Sequence, residues 1–136
     1  MNYLLDTNVI SALRKPAAYP NVMTWFAGSE EESLYLSVVT LGEIRKGIAL
    51  LRRENQNSAA ALEKWFDALR GRYAKHLLPV DGAVAETWGE LLAIDAHHAI
   101  DALLAATATV HHMTLVTRNV KHMQSYPVKL LKPFDS

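Results

Sequence analysis

Three carboxylates lie where the chain can do metal chemistry. Asp6 directly follows a short apolar run, Glu43 lies one turn into a predicted helix, and Asp101 begins another predicted helix. Brought together without a cation, such acids repel one another, whereas Mg²⁺ and Mn²⁺ are hard ions that prefer oxygen ligands. A site of this kind can turn a bound water into a nucleophile and stabilise a phosphoryl displacement. The three acids therefore predict a metal-dependent phosphodiesterase.

Each acid also has an ordinary structural role open to it. Asp6 and Asp101 could simply cap helices, and a glutamate on a helix, such as Glu43, is usually solvated. Gly47, one turn beyond Glu43, favours the site, because a glycine inside a helix costs about 1 kcal/mol relative to alanine and so indicates a close approach. Ala105 shares a helix face with Asp101 and allows tight packing, which would require a partner for a buried carboxylate.

Short strands that alternate with helices must position these acids. Apolar and β-branched runs predict strands at residues 3–5, 34–37, 77–80, 114–117 and 128–131. Helical spacing of apolar residues predicts helices at residues 6–13, 20–26, 40–51, 58–73, 83–94 and 100–111, the third and fourth forming an antiparallel pair. This alternation predicts an α/β domain with a mainly parallel central sheet.

Several polar residues follow the predicted strands. Ligands bind beyond the carboxyl ends of the strands in open parallel sheets, which selects Asp6, Ser37 and Asn119. Ser37, Thr40 and Thr117 are placed to orient carboxylates or waters, and simple capping explains them equally well.

Cationic and ring-bearing residues need separate treatment. Arg45, Lys46 and Arg118 neighbour the acids and could contact phosphate. The adjacent histidines at 97–98 and 111–112 are poor metal pairs, since neighbouring residues on a helix point about 100° apart. The tryptophans sit among apolar helical positions and are expected to pack in the core or a dimer interface: Trp25, Trp65 and Trp88.

Composition limits the classes of protein and site. The 136 residues suit a single domain, residues 1–136, and the lack of cysteine excludes disulfides and sulfur-based zinc sites. The 14 basic residues balance the 14 acidic ones, so the net charge gives no sign of a nucleic-acid binder, although bound cations would make the acidic cluster locally positive. No secretory signal or membrane span is evident, which predicts a soluble, cytoplasmic protein without a membrane partner.

Two rival functions remain open on the acids alone. A phosphohydrolase could use Asp6 as a covalent nucleophile, but Asn8 occupies the place where such an enzyme wants a second acid. A non-catalytic interaction module could use the acidic cleft only to bind a partner.

The acids belong to longer motifs, which occur in order along almost the whole chain. These are LLDTNVI at 4–10, SVVTLGEIRKG at 37–47, DALLAATA at 101–108 and LVTRN at 115–119, followed by Lys132-Pro133-Phe134. Together they resemble PIN-domain endoribonucleases, specifically toxins of the VapC or FitB type from type II toxin–antitoxin systems. The resemblance implies a PIN-like α/β/α fold.

The resemblance also implies roles for individual residues. Asp6, Glu43 and Asp101 match the family's catalytic, metal-binding acids, and Asn119 falls where relatives carry a fourth Asp or Asn, suited to holding a water or positioning substrate. Many relatives have an acid three residues further on, where this chain has His122, so one metal is better supported than two. Residues expected to contact substrate are Arg118, Arg45, Thr7 and Ser37.

The cofactor and partners follow from the same resemblance. It implies Mg²⁺ or Mn²⁺ as cofactor and RNA as substrate, with structured RNAs such as transfer RNA the commonest type of target. It implies a cognate antitoxin that inserts a segment, often with an arginine, into the acidic cleft. It also implies a homodimer and a higher toxin–antitoxin assembly.

Overall fold

Five short strands form the centre of the computed structural model, which describes residues 1–134. They are β1 (Tyr3–Leu5), β2 (Leu34–Ser37), β3 (Leu77–Leu78), β4 (Thr114–Val116) and β5 (Leu130–Leu131). All four pairings are parallel, and the order across the sheet is β3-β2-β1-β4-β5. The predicted parallel α/β architecture is confirmed, and β1 lies at its centre between β2 and β4.

Helices connect the strands. They are α1 (Thr7–Ala12), α2 (Pro20–Ala27), α3 (Val38–Glu54), α4 (Gln56–Arg72), α5 (Gly82–Ile94), α6 (Ala99–Val110) and α7 (Val120–Met123). Two 3₁₀ turns, Glu31–Ser33 and Ala74–His76, precede β2 and β3. Only Asn55 separates α3 from α4, and the two helices pack together, so the chain reverses there as the predicted antiparallel pair requires.

Both faces of the sheet are buried. Successive side chains on a strand point to opposite faces, and helices cover each face. Leu5 and Val116 pack into a core with α1 to α4, whereas Leu4 and Leu115 pack into a second core with α5 and α6. All four side chains are fully buried, and complete burial of such a side chain stabilises the fold by about 1.5–3 kcal/mol. The apolar run at β1 is therefore a central strand with helices on either side.

The structure places several element boundaries differently from the sequence prediction. Helix α3 begins at Val38 rather than 40, because the Ser37 hydroxyl accepts the Val39 N–H and caps it. Likewise α4 begins at Gln56 rather than 58, capped by the Asn55 side chain. The third strand ends at Leu78 instead of 80, the fifth begins at Leu130 instead of 128, and α7 was not predicted.

The tryptophans pack as predicted. Trp25 and Trp65 lie against the core under α1 to α4, and Trp88 lies against the other core. The Trp88 indole N–H also donates to the Ala99 carbonyl at 2.9 Å, which ties α5 to the start of α6. Across residues 1–134, no helix is both long and apolar enough to cross a membrane.

Candidate active site

The predicted acids meet in one cleft at the carboxyl ends of β1 and β4. The cleft has a volume of about 380 Å³, and Asp6, Glu43 and Asp101 all line it. They come from three elements: Asp6 from the end of β1, Glu43 from α3 and Asp101 from α6. Asn119 and Arg118, which follow β4, line the same cleft.

Asp6 is the most enclosed of the acids, with only 4% of its surface exposed. Its Oδ2 accepts the Thr117 hydroxyl at 2.7 Å and the Asn8 amide at 3.4 Å. Its backbone N–H donates to the Val116 carbonyl at 2.9 Å, which fixes the residue to the end of β4. Asp6 is the N-cap residue of α1, but its side chain makes no capping hydrogen bond there and is held by Thr117 and Asn8 instead.

The Asp6 carboxyl is held where its negative charge is unfavourable. Burial, the largest cause, raises its pKa from 3.8 to about 6, against the opposing hydrogen bond from Thr117. The charges of Asp101 and Glu43 contribute to the same rise in the pKa. Oxygen ligands that repel one another in this way fit a hard divalent cation, which would offset the repulsion and favour the ionised form. The residues present therefore suit a metal of the Mg²⁺ or Mn²⁺ class.

Thr117 and Asn8 connect the residues that follow β1 to those that follow β4 by side-chain hydrogen bonds. The buried Thr117 hydroxyl donates to Asp6 and accepts the Asn119 N–H at 2.9 Å. The Asn8 side chain reaches Asp6 with its amide and accepts the Arg118 N–H with its oxygen at 3.1 Å. The sequence suggested the orienting role of Thr117, but it did not predict that of Asn8.

Glu43 is exposed on α3 and is held by one hydroxyl. Thr7 Oγ1 donates to Glu43 Oε1 at 2.6 Å, and it also lies 3.0 Å from the hydroxyl of the buried Thr40. A short hydrogen bond to an ionised carboxylate is stronger than one between neutral groups. Thr7 therefore contacts Glu43, one of the predicted metal ligands, and lines the cleft.

Gly47 does not mark a close approach within the described residues. A Cβ at Gly47 or Gly42 would meet no atom within 4 Å. Both glycines line a second groove of about 630 Å³, which also includes Glu43 and the exposed Leu50 and Ile100. The face of α3 that carries Glu43 is therefore open on both sides of the acid.

Asp101 has a histidine as its partner. Its Oδ2 lies 2.8 Å from His122 Nδ1, and its side chain is 15% exposed. Asp101 lies in the first turn of α6, whose N-cap is His98, so the capping role considered for Asp101 is wrong. Because an ionised carboxylate can only accept, His122 Nδ1 is the donor in this hydrogen bond.

The sequence analysis did not predict that His98 and His122 would meet. Their rings stack with centroids 3.7 Å apart and planes 7° apart. One ligand atom from each of His98, Asp101 and His122 lies within 4.8 Å of the others. The spacing of three residues between His98 and Asp101 was an available signal, because such residues share a helix face. The 97–98 pair does not act together, since His97 Nδ1 lies 2.7 Å from Asp95 Oδ1 instead.

Arg118 lines the cleft, as does a second cation, Lys15. Arg118 is exposed, and its guanidinium lies over the rings of Tyr19 and Phe134, at 4.8 and 4.2 Å from their centroids. A hydrogen bond from Arg118 and its positive charge lower the Tyr19 pKa. The aromatic pair therefore holds this guanidinium beside the acids.

Two of the predicted substrate contacts lie elsewhere. Arg45 pairs with Glu63 of α4 and lies over the Phe66 ring at 5.1 Å, because a residue two positions after Glu43 projects from a different side of the helix. Ser37 is fully buried and caps α3, so it cannot reach a substrate. Neither residue lines the cleft that holds the three acids, and each has a structural contact elsewhere.

Asn119 lines the cleft because it follows the carboxyl end of β4. Its N–H donates to Thr117, and its side chain makes no capping hydrogen bond to α7. It contributes an amide to the cleft lining but no charge.

Known proteins of the same fold resemble the chain over most of its length. The PIN domain family matches residues 3–127. Plasmid stability protein StbB of Pseudomonas syringae pv. tomato is 32% identical over 98% of this chain and 99% of its own. Toxin FitB of Neisseria gonorrhoeae is 31% identical over 96% of this chain and 97% of its own. VapC ribonuclease Y4jK of Sinorhizobium fredii is 29% identical over 97% of each chain.

Solved structures of similar proteins have the same fold as this chain. The crystal structure of FitAcB from Neisseria gonorrhoeae superimposes with a TM-score of 0.89 and 31% identity, covering 96% of this chain and 97% of that one. FitAB bound to an IR36 DNA fragment gives the same TM-score and identity, with 98% and 96% covered. The fold expected from the motifs is confirmed. The chain therefore belongs to the PIN-domain family, among the VapC-type ribonuclease toxins of toxin–antitoxin systems.

Proposed function

We propose that this chain hydrolyses phosphodiester bonds of RNA with Mg²⁺ or Mn²⁺ held by Asp6, Glu43 and Asp101. The observation that carries the proposal is the meeting of these three carboxylates in one cleft, where burial and the two neighbouring acids raise the pKa of Asp6 to about 6. Ribonuclease relatives with the same fold support this activity. The same three acids are proposed as the catalytic residues, with Asn119 as an uncharged fourth member.

The donor set consists of carboxylate oxygens, which Mg²⁺ and Mn²⁺ prefer. When bound, such an ion supplies Lewis acidity and lowers the pKa of a coordinated water. Mg²⁺ usually keeps several waters and shares its shell with substrate phosphate, so a cleft with three acids is sufficient to hold one.

The chain itself orients each acid through a separate partner. Thr117 and Asn8 direct Asp6, Thr7 directs Glu43, and His122 contacts Asp101. Groups that fix a metal-binding carboxylate typically influence metal affinity or activity by about 10–100-fold. The partners are therefore proposed as positioning residues rather than catalytic ones.

RNA binding is assigned to the cationic and amide groups beside the acids. Arg118 is held by Tyr19 and Phe134, and Lys15 lines the same cleft. A guanidinium kept in one place can make paired hydrogen bonds to a phosphate. Asn119, without a charge, is proposed to position the substrate or a water.

The rival phosphohydrolase mechanism finds no support in this cleft. Asn8, at the place of the missing second acid, is engaged with both Asp6 and the backbone of Arg118. A purely non-catalytic module is disfavoured by the ribonuclease relatives.

Partners follow from the relatives and from the exposed surface. We propose that a cognate antitoxin covers the acidic cleft with an arginine-bearing segment. The similarity to Toxin FitB, solved as FitAcB, supports a protein partner. The groove beside Glu43, with the exposed Leu50 and Ile100, offers apolar area for such a protein partner. A homodimer, a higher toxin–antitoxin assembly and a structured RNA such as transfer RNA as target complete the proposal.

The extent and location of the protein are also proposals. The family match at residues 3–127 supports one nuclease domain spanning residues 1–136. A cellular RNA as substrate supports action in the cytoplasm.

The test is RNA cleavage by purified, antitoxin-free protein. We expect cleavage with Mg²⁺ or Mn²⁺, none with EDTA, and recovery when the metal is restored. Asp6→Asn and Asp101→Asn should each abolish cleavage, whereas Asp81→Asn, which changes an acid that caps α5, should not. Intact RNA with folded, metal-loaded wild-type protein would reject the proposal.

A further inference from the structure

A group of two histidines and one acid extends from the side of the cleft formed by α6. His98 precedes α6, Asp101 lies in its first turn, and His122 lies in α7. Their candidate ligand atoms lie within 4.8 Å of one another. This group differs in chemistry from the three-acid site, because two of its three donors are imidazole nitrogens.

The contact between Asp101 and His122 already brings two donor atoms together. Asp101 Oδ2 and His122 Nδ1 lie 2.8 Å apart, which is within the separation of two ligand atoms on one ion. An ion bound there would replace the hydrogen between these two atoms. A carboxylate has a second oxygen, so Asp101 can serve the three-acid site and this group together.

His98 can complete the group with a small movement. Bonds from Zn²⁺ to nitrogen or oxygen are about 2.0–2.2 Å long, so two ligand atoms on one ion lie at most about 4.4 Å apart. The stacked rings are parallel, and the exposed His98 must turn its ring so that a nitrogen faces that of His122. Exposed side chains change rotamer readily.

We propose that His98, Asp101 and His122 bind a second divalent ion, one of the imidazole-binding class such as Zn²⁺, Co²⁺ or Ni²⁺, in preference to Mg²⁺. Imidazole suits these ions, whereas Mg²⁺ favours an all-oxygen shell. The second site adjoins the proposed RNA-cleaving site through Asp101 and rests on that assignment only for the shared acid. The chain would thus combine an oxygen-lined ion position with a nitrogen-lined one.

The test measures Zn²⁺ binding by calorimetry on the metal-stripped, antitoxin-free protein. We expect His98→Ala to weaken Zn²⁺ binding by at least about 10-fold. His97→Ala is the matched control, because this neighbouring, exposed histidine pairs with Asp95 and should leave the affinity unchanged. Nitrogen-15 NMR of the imidazole rings should show Zn²⁺-dependent shifts for His98 and His122 but not for His97.

A third variant tests ion preference. His122→Asp replaces a nitrogen donor with oxygen and should lower the ratio of Zn²⁺ to Mg²⁺ affinity. Equal Zn²⁺ affinity in wild type and His98→Ala, or an equal loss in His97→Ala, would overturn the proposal. These binding measurements do not depend on RNA cleavage, so an inactive protein that still binds Zn²⁺ through His98 would reject the nuclease assignment alone.

Discussion

The two sides of the cleft hold their acids in different ways. On the sheet side, Asp6 is buried and fixed by Thr117, Asn8 and the backbone of β4. On the helix side, Glu43 and Asp101 are more exposed, and each has one side-chain hydrogen bond, from Thr7 and His122 respectively. The sheet side is a rigid anchor whose geometry follows from strand pairing. The helix side depends on single contacts that can be changed one at a time.

The largest effect should come from the charge that the sheet side buries. Since the folded-state pKa of Asp6 is raised to about 6, the fold favours the protonated acid. The stability that the protonated Asp6 contributes to the fold is fully present below about pH 4, near the pKa of an unfolded Asp. It is lost as the pH rises through 6, which lowers the free energy of unfolding of the metal-free protein by about 3 kcal/mol. Asp6→Asn removes the loss, so in EDTA the variant should gain stability relative to wild type between pH 4 and pH 8.

Chemical denaturation at the two pH values measures this gain. Asp81→Asn controls for the removal of one acid outside the cleft. If wild type and Asp6→Asn change in parallel between the two pH values, the raised Asp6 pKa is wrong.

The next effect concerns the hydroxyl that directs Asp6. Thr117→Val keeps the shape but removes the donor to Asp6 and the acceptor for the Asn119 N–H. We expect RNA cleavage to fall by about 10–100-fold and stability to fall by about 1–3 kcal/mol. Thr117→Ser, which keeps the hydroxyl, should retain most of the activity. Equal losses in the two variants would show that the methyl packing, not the hydrogen bond, matters.

Removing the corresponding hydroxyl on the helix side should have a smaller effect. Thr7→Val deletes the hydrogen bond to Glu43, but Glu43 is exposed and water can replace the lost donor. The cleavage rate should fall by about 10-fold at low metal concentration and recover at high concentration. Thr7→Ser is the control. A loss larger than that of Thr117→Val would reverse the proposed difference between the two sides.

The smallest effect concerns Arg118 and Arg45, both of which were predicted to contact the substrate. Arg118→Ala should raise the KM for RNA by about 5-fold, about 1 kcal/mol, and reduce the salt dependence of binding. Arg45→Ala should leave the KM unchanged, because Arg45 pairs with Glu63 on α4. Steady-state kinetics at two salt concentrations check both variants. A higher KM for Arg45→Ala alone would place the RNA on the other face of α3.

The sequence predicted the sheet side better than the helix side, for a physical reason. A short apolar strand followed by a polar residue places Asp6 at the carboxyl end of that strand, independently of the loop conformations. By contrast, the partner of Asp101 comes from α7, a four-residue helix with little periodicity, so His122 and His98 could not be brought together from spacing alone. Proximity in sequence to Glu43 does not give the direction of the Arg45 side chain, which pairs with Glu63 in the structure.

The order of the strands in the sheet could not be predicted from the sequence either. The short strands show where the chain enters the sheet but not which strands pair, and the order β3-β2-β1-β4-β5 depends on how the helices cover both faces. Ser37 and Asn55 cap α3 and α4, so each helix begins two residues before its predicted start.

In the proposed mechanism, one ion position formed by acids from both sides of the cleft controls RNA cleavage. Mn²⁺ occupancy and the initial cleavage rate should be measured in the same titration for wild type and Glu43→Gln. We predict that the half-maximal points of occupancy and rate coincide in each protein, and that both move to higher Mn²⁺ concentration in the variant. Full-rate cleavage of RNA without bound metal, or occupancy that shifts while the rate curve does not, would contradict the account.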